Sequence, residues 1–119
     1  MKYSDLFANP NQFLLSPSGN YKADIEDFDD DGVKSYRLYI IDIRNDGTLK
    51  YEVDFIFRAR DKNFIFWADE ADVLWVYSGD TGTYFWINNN DIWIKKSYAD
   101  NQEAKVPQAL KDVRPNIFK

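Results

Sequence analysis

Apolar and polar residues alternate along most of this chain, and the period is two. Residues 21–28 place Tyr21, Ala23 and Ile25 on one face and Lys22, Asp24 and Glu26 on the other. Residues 49–57 are the clearest case. Leu49, Tyr51, Val53, Phe55 and Phe57 share a face, while Lys50, Glu52, Asp54 and Arg58 point mostly to water. Such alternation marks a half-buried strand. Residues 35–43 (SYRLYIIDI) are apolar on both faces, which suits a central strand. Four shorter runs follow at 64–67, 73–77, 83–87 and 91–95. Turn-forming clusters separate the runs: Asn45-Asp46-Gly47, Asp61-Lys62-Asn63, Asp69-Glu70, residues 78–82 and Asn88-Asn89-Asn90. Short strands at this spacing predict an all-β fold, mainly an antiparallel meander of about seven strands forming a curved or barrel-like sheet.

The ends read differently. Residues 4–15 have room for a helical turn before the break at Ser16-Pro17-Ser18-Gly19. Residues 107–113 (PQALKDV) predict a short helix, with Pro107 in its first turn and Pro115 past its end. No repeat, low-complexity run or linker interrupts the 119 residues, so they read as a single β-rich domain, 1–119. In a simple meander alternate turns share one end of the sheet. That rule gathers residues 44–47, 68–72 and 88–91. It brings Asp46, Asp69, Glu70, Asp72 and Asp91 together, with several Asn and one base, Arg44.

Composition then narrows the chemistry. The chain has no Cys and no His, which removes disulfides, Cys/His zinc sites, thiol nucleophiles and every Ser-His pair. No run approaches the ~20 apolar residues of a membrane helix. The opening MKYSDLFANP lacks the apolar core of a secretory signal, so the cytoplasm is the expected compartment. Gly79 and Gly82 sit in a hairpin and not before a helix, so no phosphate-cradling loop is present. Two carboxylates could act as a glycosidase pair, but among 20 acids some pair always lies at a fitting distance. The expectation is a protein without catalytic groups, cofactor or metal.

Two short motifs invite a closer reading. Asp27-Phe28-Asp29-Asp30-Asp31-Gly32 fits the opening of an oxygen-ligand calcium loop, D-x-D-x-D-G. The continuation departs from that pattern, because Leu38 stands where a bidentate Glu belongs. An acidic turn between two strands uses the same residues. Ser16-Pro17-Ser18-Gly19-Asn20-Tyr21 resembles the S-P-D-G-x-Y turn that opens a strand in β-propeller blades. The chain is too short for several blades of ~40–45 residues, so the likeness implies only a Pro-Gly entry into a strand.

Charge and aromatic residues are unevenly spread. The net charge is −5, which disfavours nucleic-acid binding. Residues 61–94 hold six acids against one base, whereas residues 95–119 hold six bases against three acids. The acidic stretch also contains all four tryptophans, Trp67, Trp75, Trp86 and Trp93. Around the 78–82 turn both faces of both strands are aromatic or aliphatic, while a half-buried sheet needs only one apolar face. Either a terminal segment covers the second face, with Leu6, Phe7, Phe13, Leu110, Val113, Ile117 and Phe118 as candidates, or part of it is an exposed patch.

A small, acidic, all-β, aromatic-rich chain without catalytic groups resembles, in overall profile, the immunity proteins that bacteria pair with their toxins. That resemblance implies a basic protein partner, such as a toxin nuclease, held by carboxylates and a few aromatic anchors. The expected contact set is Asp69, Glu70, Asp72 and Asp91, with Trp67, Trp86 and Trp93 as anchors. A small apolar-ligand-binding β-barrel and a self-associating module, for example a homodimer, are the alternatives.

Overall fold

In the computed structural model of the chain, residues 13–45, 49–58, 63–78 and 82–113 are described. Among them eight strands form two four-stranded antiparallel sheets. The first sheet runs in the order β1 (Phe13–Leu15), β2 (Tyr21–Asp30), β3 (Val33–Asp42) and β4 (Leu49–Arg58). The second runs β5 (Asn63–Trp67), β6 (Leu74–Ser78), β7 (Gly82–Asn89) and β8 (Ile92–Ser97). One helix, α1 (Gln108–Val113), follows. The all-β, antiparallel expectation holds. The single seven-strand meander does not: each half is its own meander, and no barrel closes.

Local chemistry explains the hairpins. β2 and β3 pair along their whole length, from Tyr21 opposite Asp42 to Asp30 opposite Val33. The two residues left for the turn, Asp31 and Gly32, have φ of 54° and 88°. Both central residues at positive φ define the type I′ turn, which matches the twist of the flanking strands. Asn90 and Asp91 repeat this solution between β7 and β8, with φ of 54° and 65°. The D-x-D-x-D-G motif is therefore the end of a hairpin: Asp27 and Asp29 share one face of β2, Asp30 lies on the other and Asp31 is in the turn. Among the described residues no group of three or more acids gathers to hold a metal. The Pro-Gly turn enters β2 as the propeller-like motif implied, closed by the Gly19 amide donating to the Ser16 carbonyl at 2.9 Å.

Alternation also builds the core between the sheets. Tyr21, Ala23 and Ile25 from β2, with Tyr36, Leu38 and Ile40 from β3 and Val53 from β4, meet Ile65, Leu74, Val76, Trp86 and Trp93 from the second sheet. Of the residues expected to point inward from β4, Val53 is buried and Tyr51 half-buried, but Leu49 lies exposed at the strand's start. The side chains of Phe55 and Phe57 lie outside the described set. At the β1–β5 side the Trp67 indole Nε1 donates to the Leu14 carbonyl at 2.9 Å, tying one sheet to the other.

The outer face of the second sheet is covered in part. Phe64, Phe66, Trp75 and Phe85 form a second buried cluster with Val106 and Leu110 from the C-terminal segment. Trp75 and Phe85 face each other across β6 and β7 and stack at 4.5 Å. Leu110, on α1, is fully buried against them. This answers the sequence's surplus of aromatics: of the candidate covers, Leu110 does the covering. Leu6, Phe7, Ile117 and Phe118 and the side chains of Phe13 and Val113 lie outside the described residues. Of the helical turn expected within 4–15, residues 13–15 are instead the strand β1. Among the described residues no helix is long and apolar enough to cross a membrane.

Candidate functional site

One end of the molecule concentrates charge. The end of β3 supplies Asp42, the following 3-10 turn (Ile43–Asn45) supplies Arg44, the start of β2 supplies Tyr21, and β7 with its turn supplies Asn88 and Asp91. Arg44 grips Asp42 with two parallel bonds, Nε to Oδ1 at 3.0 Å and Nη2 to Oδ2 at 2.7 Å. The Arg44 backbone amide donates to the same carboxylate at 3.0 Å. Arg44 Nη2 reaches Asp91 Oδ1 of the second sheet at 3.1 Å and the Tyr21 hydroxyl of its own sheet at 3.0 Å. That hydroxyl also accepts from Asn88 Nδ2 at 3.0 Å and donates to Asp91 at 3.3 Å. Arg44, from the first of the gathered turns, and Asn88 and Asp91, from the last, do come together, although they come from different sheets.

The electrostatics of this cluster are those of a clamp. The Arg44 hydrogen bonds hold Asp42 below the ordinary carboxylate range, against the opposing effect of burial. Burial pushes the Tyr21 phenol up, partly offset by Arg44. Arg44 is pushed up by its bonds to Asp42 and then Asp91. All three shifts move away from neutrality, whereas a general acid or base needs a pKa near the working pH. The cluster joins the two sheets.

A groove lies beside it on the outer face of the second sheet. The β5–β6 connection and the C-terminal segment bound a depression of about 440 Å³. Val73, Trp75, Phe85 and Ile87 form its floor, and Asp69, Glu70 and Lys105 stand at its rim. Val73 and Ile87 also line a more polar depression of about 400 Å³ that runs on to Asn88 and Arg44. The groove and the clamp are therefore contiguous along one surface.

Within this surface the expected contact residues have different duties. Asp69 Oδ2 accepts from the Gln108 amide at 3.1 Å and so holds the first turn of α1. Asp72 accepts from the Ser18 hydroxyl at 2.6 Å and its amide at 3.2 Å, tying the β5–β6 connection to the β1–β2 turn. Asp91 is engaged with Arg44 and Tyr21 yet remains largely exposed. Glu70 is exposed and makes no hydrogen bond or ion pair with the described residues. Trp86 is fully buried and Trp93 is 9% exposed, so both indoles belong to the inner core. Trp67 is half-buried and bonded to β1. Asp46 lies outside the described residues. Sequence reasoning missed Trp75, Phe85 and Ile87 as the groove floor, although their place on the second apolar face was visible in the alternation.

Comparison with protein-family models, with curated proteins and with solved structures finds no match for this chain.

Proposed function

We propose that this protein is a non-enzymatic binding module that captures a basic protein, acting as an acidic inhibitor or immunity protein against a toxin such as a nuclease. The observation that carries this reading is the groove: an apolar floor of Val73 and Ile87 over the buried Trp75 and Phe85, edged by Asp69 and Glu70 with Lys105, on a chain of net charge −5. Carboxylates at the rim accelerate encounter with a basic surface, and the apolar floor holds an inserted side chain once water is expelled. The anchoring role moves from Trp86 and Trp93, which are interior, to the half-buried Val73 and Ile87 of this groove, behind which Trp75 and Phe85 are buried. Asp69, Glu70, Asp72 and Asp91 remain the acidic contact set, with Trp67 at its margin.

The test combines capture and titration. The protein is used as bait in lysate of its source, bound proteins are eluted by stepped salt, and the recovered partner is titrated against variants. Glu70→Lys is the cleanest charge reversal, because Asp69 and Asp72 also carry structural bonds. Ala71→Arg fills the groove from an exposed position that lines it. A basic partner is expected, with association slowed about tenfold by Glu70→Lys at low salt. Recovery of no basic protein, or a partner that binds both variants as well as the native chain, sinks the reading.

Self-association is the second reading, favoured by β8. That edge strand exposes Ile92 at 65% and Ile94 at 37%. Mass in solution that rises with protein concentration and falls to the monomer in Ile92→Lys would identify a homodimer. The apolar-ligand carrier loses its original basis, since no closed barrel is present.

A further inference from the structure

The two sheets do not close fully on each other where β4 and β8 meet the charged end. A slot of about 220 Å³ opens there. Tyr21, Tyr51, Trp93 and Ile40 line it, together with Asp42 and Asp91. We propose that this slot is a binding site for a small organic monocation, an alkylammonium or alkylguanidinium group. The proposal does not rest on the protein partner discussed above, whose groove lies on the other face of the second sheet, although Asp91 is common to both proposals.

Three observations converge on that ligand. Aromatic ring faces attract cations, and the ring quadrupole counts for most where water is scarce. The Tyr21 and Trp93 rings meet edge to face at 5.1 Å, and both side chains are buried. Tyr21 already holds one cation, with the Arg44 guanidinium carbon 5.1 Å from its ring centre. Charge is the second observation. Asp42 and Asp91 share the single guanidinium of Arg44, so among the described residues these three groups carry a net charge of one negative. Lys50 lines the slot but does not cancel that charge inside it, because its ammonium sits 3.9 Å over the Tyr39 ring on the outer face of the sheet. Size is the third. The volume is below the ~300 Å³ at which sites for drug-sized ligands begin, so it takes one compact group.

Choline and its neutral isostere 3,3-dimethylbutan-1-ol are the probes, each titrated into the full chain while the Trp93 indole N–H resonance is followed by NMR. Choline is expected to shift that resonance saturably, with a dissociation constant of about 1–10 mM, and the isostere to bind at least about fivefold more weakly. Asp91→Asn removes that net negative charge while keeping an oxygen that can accept from Arg44 and Tyr21. It should weaken choline about fivefold, with an unchanged far-ultraviolet spectrum. Leu49→Glu, at the exposed mouth, adds a charge and should tighten choline by a similar factor. Equal binding of choline and the isostere would show an apolar slot without cation preference and overturn the proposal. A Trp93 resonance that does not respond to choline, or choline binding insensitive to both variants, would overturn it as well.

Discussion

Asp42 is 8% exposed, and burial alone would make its charge costly. The Arg44 fork reverses that balance, so the folded carboxyl ionises more readily than the unfolded one. Its contribution to stability is complete above the unfolded carboxylate value, near ~3.9, and is lost as pH falls through the lower folded value. Thermal melts from about pH 7 down to about pH 2 should therefore show a falling acid limb that is shallower in Asp42→Asn. An acid limb of the same slope in the variant would remove Asp42 as a source. Tyr21 gives the opposite sign at the other extreme. Its phenol ionises later when folded, so stability declines as pH rises above the unfolded value of ~10. Backbone conformation decides a third residue. Asp31 sits at φ 54°, where Asn is tolerated and a branched side chain is not. Asp31→Asn should leave the melting temperature unchanged, while Asp31→Val should cost roughly 1–2 kcal/mol.

Among the elements, the C-terminal segment shows how a short helix acquires a structural role. α1 has six residues and is too short to stand alone. It is held by Leu110 in the aromatic cluster and by Asp69 at its first turn. Leu110→Ala should cost about 2–4 kcal/mol. It should also raise binding of a hydrophobic dye, because Trp75 and Phe85 lose their cover. A variant as stable and as dye-silent as the native chain would show that the segment is dispensable. β2, β3 and the helix were legible as pattern, whereas the cover stood as one of two alternatives, because alternation shows a second apolar face without showing what lies on it. β1 was not legible, because three residues hold too little alternation to tell a strand from a helical turn. The division into two sheets was hidden for a different reason. A chain of consecutive hairpins reads the same whether β4 pairs with β5 or turns away to stack over it. The roles of Trp86 and Trp93 were equally illegible, since a tryptophan suits a core and an interface alike until its neighbours on the opposing sheet are known. The clamp was half visible: Arg44 stood out as the one base among acidic turns, but its grip on Asp42 and Tyr21 depends on how the sheets stack.

For the whole molecule the question is whether two separate meanders behave as one folding unit. Each sheet is made of neighbouring strands, so each could in principle form from local contacts. Their inner faces, however, are a single core: Leu38 and Ile40 of the first sheet are buried with Leu74, Val76 and Trp86 of the second. Neither sheet can keep that face dry alone, and the Arg44–Asp91 pair and the Trp67 bond to Leu14 add two further ties. The tryptophans make this testable without any label. Trp67, Trp75, Trp86 and Trp93 fall one on each strand of the second sheet, so indole fluorescence reports that sheet and its packing against the first. Far-ultraviolet circular dichroism reports both. The two signals should give coincident denaturant midpoints, as one cooperative transition requires. In Trp86→Ala, which opens a large cavity at the centre of the shared core, both midpoints should fall together by the equivalent of about 3–5 kcal/mol. Dichroism that persists after the fluorescence has changed would mean the first sheet survives without the second. The shared core would then contribute far less to cohesion than its burial implies.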